Sequence, residues 1–319
     1  MTLEAYPIYL SYLLIVAGFV FLIMGADWLV NGASGLAKRF NVPDLVIGLT
    51  VVAFGTSAPE LVVNLVAAIK DSSEIALTNI LGSNIINTLV ILGVSALIYP
   101  VASQASSRKR DIPLSIFAGF AVLLLVLLTP GDGGVNRWGG VLLLVCFCYF
   151  MFLTMRHARK NPAESAEEYT PMPAWKAIAL IVVGLVGLIF GGQAIVASAQ
   201  NIARTWGVSE HVIGLTVVAL GTSLPELATS AMAAFKKNSD LAIGNVIGSN
   251  IFNVFFVLGI SACIRPLASY EGLIVDAFMA GCSCLLLLGF LYTNKERKLQ
   301  RWQGFVFLCI YAVYLYTRL

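Results

Sequence analysis

Glu60 is the sole charged residue between Leu45 and Ile69, and Glu226 the sole one between Val212 and Phe235. Each closes the same hexapeptide pattern, Gly55-Thr56-Ser57-Ala58-Pro59-Glu60 and Gly221-Thr222-Ser223-Leu224-Pro225-Glu226. A carboxylate in the middle of an apolar span is expensive, about 2.5–3.5 kcal/mol for an acidic side chain on insertion scales. Neither stretch contains a Lys or Arg to neutralise it. The compensating positive charge must therefore come from a bound cation or a proton.

The surrounding residue types suit a hard cation. Pro59 and Pro225 lack an N–H, so the carbonyls of Gly55 and Gly221 lose their helical donors. Freed carbonyls at membrane depth are tolerated where they line a wet cavity or meet an ion. Thr56 and Ser57 lie four and three residues before Glu60, and Thr222 and Ser223 stand likewise to Glu226, so the hydroxyls can share the carboxylate's face. Asn79, Ser83 and Asn87 follow at spacings of four, and Asn245, Ser249 and Asn253 repeat the stripe. Carboxylate, amide, hydroxyl and carbonyl oxygens without Cys, Met or His suit calcium, magnesium or sodium rather than a soft transition metal. A flexible cluster of many oxygens fits calcium better than the rigid octahedron of magnesium.

The elements that must hold these residues are membrane helices. The 319 residues are 59% hydrophobic and 12% charged, about half the charge fraction of an ordinary soluble domain. Apolar runs predict an all-α polytopic membrane protein of ten transmembrane helices: 8–37, 43–69, 75–98, 112–129, 137–155, 175–204, 210–235, 241–264, 272–292 and 301–317. The first and sixth are long enough to require a strong tilt. Alternate loops carry 15 of the 20 basic residues, including Arg108, Lys109, Arg110, Lys236 and Lys237. By the positive-inside rule that side is cytoplasmic and both termini lie outside.

The chain also repeats itself at an offset of 166 residues. Ile47–Ala53 recurs as Ile213–Ala219, and Gly82-Ser83-Asn84-Ile85-Ile86-Asn87 as Gly248-Ser249-Asn250-Ile251-Phe252-Asn253. Over Val42–Ser95, 29 of 54 positions match without a gap. Five spans per half is odd, so the second copy enters from the opposite side. Residues 1–155 are read as the first inverted repeat, 156–174 as a cytoplasmic loop and 175–319 as the second repeat. Inverted repeats with a midplane site are the architecture of secondary transporters.

These paired motifs closely resemble the alpha repeats of the cation/calcium exchanger superfamily, above all its prokaryotic sodium/calcium exchangers. The resemblance implies an ion cluster of Ala53, Thr56, Ser57, Glu60, Ser83 and Asn87 with Ala219, Thr222, Ser223, Glu226, Ser249 and Asn253, the two alanines through their carbonyls. It implies an antiporter that moves calcium against sodium by alternating access, the first and sixth helices sliding against the rest. Some relatives carry aspartate where this chain has Asn253, which leaves two carboxylates in the cluster, enough to neutralise one calcium. Gly18 and Gly25, repeated as Gly184 and Gly191, are small residues that permit either smooth sliding contact or static close packing of helices. Asp27, whose equivalent is Gln193, stands either near a cavity or at a helix contact.

Calcium/proton exchange is the nearest alternative, because Glu60 and Glu226 could carry protons. A cation channel could use the same oxygens but has no need of two alternately closed pathways. An enzyme is disfavoured, since buried Glu with Ser and Thr makes a poor case for hydrolysis. The six cysteines lie in apolar segments as small fillers, His157 in a basic loop and His211 near a helix start. Net charge of +3, scattered in small clusters, argues against nucleic acid. The N-terminal stretch lacks the basic start of a signal peptide and is read as a retained helix. The expected partners are calcium and sodium ions and the lipid bilayer of a prokaryotic inner membrane, with no cofactor and no obligate protein partner.

Overall fold

The computed structural model describes residues 7–70, 72–129, 134–160, 172–207 and 219–318. They are mostly helical: α1 (Ile8–Arg39), α2 (Asp44–Thr56), α3 (Ala58–Ile69), α4 (Ser73–Ile98), α5 (Ser107–Leu128), α6 (Arg137–Lys160), α7 (Ala174–Thr205), α8 (Ala219–Thr222), α9 (Leu224–Phe235), α10 (Ser239–Ile264), α11 (Leu273–Tyr292) and α12 (Arg301–Arg318). Seven of these helices are long and apolar enough to cross a membrane, or eight if α2 and α3 count as one bent span. Phe19, Phe190, Phe305 and many other large apolar side chains face outward. Lipid tails are the solvent that suits such a surface.

Helices occupy most of the ten expected spans, but seven, or eight with the bent pair, are long and apolar enough to cross a membrane, α12 is not among them, and the second span is broken at Ser57. The fourth span starts at Ser107 rather than 112, because the basic triplet Arg108–Arg110 is wound into the helix. The fifth runs to Lys160, which places His157 on a helix and not in a loop. The start of the seventh span, with His211 and the equivalents of residues 44–52, lies outside the described residues.

α4 and α10 are the most buried spans and form the centre of the molecule. Both contain a widened, π-type turn, Ile86–Ile91 in α4 and Phe252–Leu258 in α10. Such turns shift the hydrogen-bond ladder by one residue and recur at functional sites. α1 and α7, 32 residues each, lie at the periphery and, with α6, are the most outward-facing spans. They run antiparallel to each other, Gly18 beside Gly191, Gly25 beside Gly184 and Gly32 beside Ala177. At about 1.5 Å per residue such helices exceed the roughly 30 Å hydrocarbon core, so tilt is required.

Two small antiparallel ladders clip the loops together. Val101–Ala102 pairs with Lys298–Leu299, and Gly134–Val135 with Leu267–Ala268. Gly134 has φ of 105°, and the Leu267 carbonyl occupies the place of a side chain there, so only glycine fits.

Candidate cation site

Each hexapeptide breaks its helix at the serine. α2 stops at Thr56, Ser57 adopts φ −82° and ψ 10°, and α3 restarts at Ala58 with Pro59 in its first turn. The two helices are bent by 48°. Ser223 does the same between α8 and α9, with φ −88° and ψ 5°. Pro59 and Pro225 thus act as helix starters, where a missing N–H is harmless, rather than as kinks within a continuous helix. One consequence is electrostatic. Glu60 and Glu226 fall in the first turn of α3 and α9, where unpaired N–H groups favour a negative charge by about 0.3–1 kcal/mol.

That help is small against the burial. Each glutamate is 1% exposed, and none of the ion pairs among the described residues involves either. Hydroxyls surround them instead. Ser57 Oγ donates to Glu226 Oε1 at 2.8 Å, and Thr56 and Ser249 also flank that carboxylate. Thr222 and Ser223 flank Glu60. Each glutamate therefore sits against the broken helix of the other half of the chain.

Asparagines lock this crossing. Thr56 Oγ1 donates to Asn245 Oδ1 at 3.1 Å, and Thr222 Oγ1 to Asn79 Oδ1 at 3.4 Å. Asn245 Nδ2 donates onward to Ser230 Oγ at 2.9 Å and to the Glu226 carbonyl at 3.3 Å. Asn64 Nδ2 donates to the Glu60 carbonyl at 3.0 Å. Asn79 and Asn245, read from the stripe as oxygen donors to an ion, have those oxygens engaged by threonine. Asn64 and Ser230 were not singled out by spacing, although both lie four residues after a glutamate. The Ala53 carbonyl accepts the Ser57 N–H at 3.0 Å, and Ala219 begins α8.

Ser83, Asn87, Ser249 and Asn253 complete the arrangement. α9, which carries Glu226, packs on Ile86–Ile91, and α3, which carries Glu60, packs on Phe252–Leu258. Glu60 Oε2, Ser83 Oγ, Asn87 Oδ1, Ser223 Oγ, Glu226 Oε2, Ser249 Oγ and Asn253 Oδ1 are all buried without a hydrogen-bond partner. Unpaired buried acceptors are rare, because each forfeits its hydration. Their concentration on the residues singled out from the sequence is the main feature of the site. Cys284 departs from the filler reading: its thiol meets Thr88, Ser115 and Asn250.

A cavity of about 410 Å³ lies between α7 and the two breaks, lined by Pro59, Gln193, Val196, Gln200, Thr222 and Pro225. It reaches Thr222 and so the neighbourhood of Glu60. In the equivalent region of the other half, polar side chains meet across the elements. Lys236 Nζ meets Asp27 Oδ1 at 2.5 Å and Asn31 Oδ1 at 2.6 Å, and Asn238 Nδ2 bonds Asp44 Oδ2 at 2.6 Å and Ser34 Oγ at 3.1 Å. Asp27 is thus a helix contact, whereas its equivalent Gln193 lines a cavity. The glycines differ from the sliding expectation too. They face one another across the α1–α7 pair, not the remainder of the bundle.

Residues 10–156 and 176–319 match the family model described as sodium/calcium exchanger protein. The chain belongs to the sodium/calcium exchanger family. It is 39% identical to the "Putative antiporter CaxA" of Alkalimonas amylolytica, over 95% of this chain and 96% of that one. Identity to the sodium/calcium exchanger MaX1 of Methanosarcina acetivorans is 32%, over 96% and 97%. Among solved structures, the sodium-calcium exchanger NCX_Mj soaked with 10 mM Na+ and zero Ca2+ superposes with a TM-score of 0.83 at 32% identity, covering 96% of this chain and 98% of that one. Cation/calcium exchange is therefore the class of activity in which this membrane protein falls.

Proposed function

We infer that the chain is a secondary active antiporter exchanging calcium for sodium by alternating access, with ten spans in two inverted repeats. Residues 1–155 form the first, 156–174 a cytoplasmic loop and 175–319 the second. The termini face outward, in a prokaryotic inner membrane. The ion cluster is Ala53, Thr56, Ser57, Glu60, Ser83 and Asn87 with Ala219, Thr222, Ser223, Glu226, Ser249 and Asn253.

The observation that carries this reading is the set of seven unpartnered buried oxygens on those side chains. Calcium takes six to eight oxygen ligands, and sodium is equally served by neutral hydroxyl and amide oxygens. Two carboxylates balance one calcium, so entry of calcium and departure of sodium exchange similar charge at the same oxygens. The Gln193 cavity is the access route from outside, and the Asp27–Lys236 contact closes the opposite route. The names of MaX1 and NCX_Mj support sodium as the coupling ion.

Calcium/proton exchange is the second reading, favoured by the amide at Asn253, which leaves Glu60 and Glu226 as the two titratable groups of the cluster. Calcium uptake into reconstituted vesicles, driven by an outward sodium gradient at clamped pH, separates the two. Uptake that follows the sodium gradient supports the first reading; uptake that ignores sodium and follows a pH gradient replaces it with the second.

A further inference from the structure

We propose that Asn84 and Asn250, one from each half of the chain, are positioning residues that turn the amide oxygens of Asn253 and Asn87 toward the transported ion. This deepens the calcium-exchange reading and rests on it. An asparagine is useful as a cation ligand only when its oxygen faces the ion, and the amide group is nearly symmetric in shape. Something must fix which end points inward.

The fixing can be followed from backbone carbonyls, which accept and never donate. Asn84 Nδ2 donates to the Asn250 carbonyl at 3.1 Å. A flipped Asn84 would set oxygen against oxygen there, so its Oδ1 is held on the other side. That Oδ1 accepts from Asn253 Nδ2 at 3.2 Å, and Asn253 Oδ1 is left buried and unpartnered. In the other half the anchor is Thr88, whose Oγ1 donates to the Asn84 carbonyl at 3.1 Å. Its proton committed, Thr88 accepts from Asn250 Nδ2 at 2.9 Å. Asn250 Oδ1 then accepts from Asn87 Nδ2 at 3.1 Å, and Asn87 Oδ1 is left buried and unpartnered.

The two halves end alike: the NH2 of a cluster asparagine is held by an asparagine from the opposite half, and its oxygen is left unpartnered. Asn84 and Asn250 are themselves 3% and 1% exposed, so water cannot replace either partner. Asn87 and Asn253 sit on the widened turns of α4 and α10, a feature that recurs at functional sites. Outer partners of metal ligands typically contribute about 10–100-fold in affinity through orientation of this kind.

The test is calcium affinity of the full-length purified protein, read from calcium-dependent thermal stabilisation and binding of radioactive calcium. Asn84→Ala and Asn250→Ala are each expected to weaken calcium binding by about 10–100-fold. Adding Asn253→Ala to Asn84→Ala, or Asn87→Ala to Asn250→Ala, should bring little further loss, because residues acting through one another are not additive. A merely structural role would lower the melting temperature in ion-free buffer while leaving the dissociation constant unchanged, and that result overturns the proposal, as do fully additive losses. If either alanine variant fails to fold, Thr88→Val decides: it frees the Asn250 amide to turn, so weaker calcium binding supports the assignment and unchanged binding rejects it. Wild-type protein that binds neither calcium nor sodium overturns the exchange reading itself. Wild-type binding with unaffected variants rejects only the roles of Asn84 and Asn250.

Discussion

Ser57 Oγ donates a 2.8 Å hydrogen bond to Glu226 Oε1, whereas its equivalent, Ser223 Oγ, is buried without a partner although Glu60 lies beside it. The two hydroxyls occupy matching places at the two helix breaks and differ in what they hold. A buried hydrogen bond is worth about 0.5–1.5 kcal/mol net. In buffer free of calcium and sodium, Ser57→Ala is therefore expected to lower the melting temperature clearly, and Ser223→Ala much less. Both should reduce stabilisation by added calcium, since both hydroxyls belong to the proposed cluster. Equal melting temperatures in ion-free buffer would contradict the asymmetry.

The glutamates themselves make the sharpest demand. Removing one partner of a buried charge pair weakens it by about 3–5 kcal/mol, or at least about 100-fold in affinity. Glu60→Gln and Glu226→Gln keep size and hydrogen-bonding capacity while deleting the charge that a divalent ion must meet. Each should abolish calcium exchange in vesicles while the protein remains inserted and monodisperse. Near wild-type flux in either variant would remove the cluster from the transport mechanism.

A different test concerns access. Lys236 ties Asp27 and Asn31 of α1 to the turn after α9, and the equivalent place in the other half is the cavity beside Gln193 and Gln200. Asp27 and Lys236 are both partly exposed, so the pair is worth about 0.2–1 kcal/mol and is weakened by salt. Lys236→Met is expected to shift the resting population toward the opposite opening and to lower apparent calcium affinity measured from outside by about two- to fivefold. Exchanging the charges, Asp27→Lys with Lys236→Asp, should restore much of it at low ionic strength. A swap no better than the single variant would show that the charges do not act as a pair.

Much of this is legible in the sequence, for a physical reason. Two unneutralised glutamates in apolar sequence mark a candidate site wherever the helices go, and a repeat at a fixed offset of 166 residues pairs each proposed ligand with its equivalent. Spacing does not carry direction. Spacing places Asn79 and Asn87 on one stripe, yet Asn79 gives its oxygen to Thr222 while Asn87 keeps its oxygen free. Asn87 and Asn253 fall on the widened turns at Ile86–Ile91 and Phe252–Leu258, and no single residue type announces such a turn. Likewise the proline signalled a disturbed helix, but the choice between a kink and a restart depends on Ser57 leaving helical geometry. The role of Asp27 required its partner, Lys236, 209 residues away in sequence.

The glycines of α1 and α7 support a final prediction. A Cβ added at Gly184 would lie 2.7 Å from Leu29 N and 2.8 Å from the Gly25 carbonyl, both backbone atoms of the facing helix. Backbone cannot rotate away as a side chain can, so the two helices must separate. Overpacking of this kind destabilises by about 1–3 kcal/mol. Gly184→Val should therefore lower the melting temperature and slow turnover, because α1 and α7 no longer hold together as a pair. Calcium affinity should change little, since the predicted ligands lie on the other helices. Gly289→Ala in α11 is the control: nothing lies within 4 Å of its would-be Cβ, and alanine favours a helix, so neither quantity should fall. Turnover and stability that survive Gly184→Val unchanged would show that the close α1–α7 contact is dispensable. A large loss of calcium affinity with normal stability would instead mean that α7 shapes the cluster directly, through Leu185 against Gly55 and Val196 against Gly221.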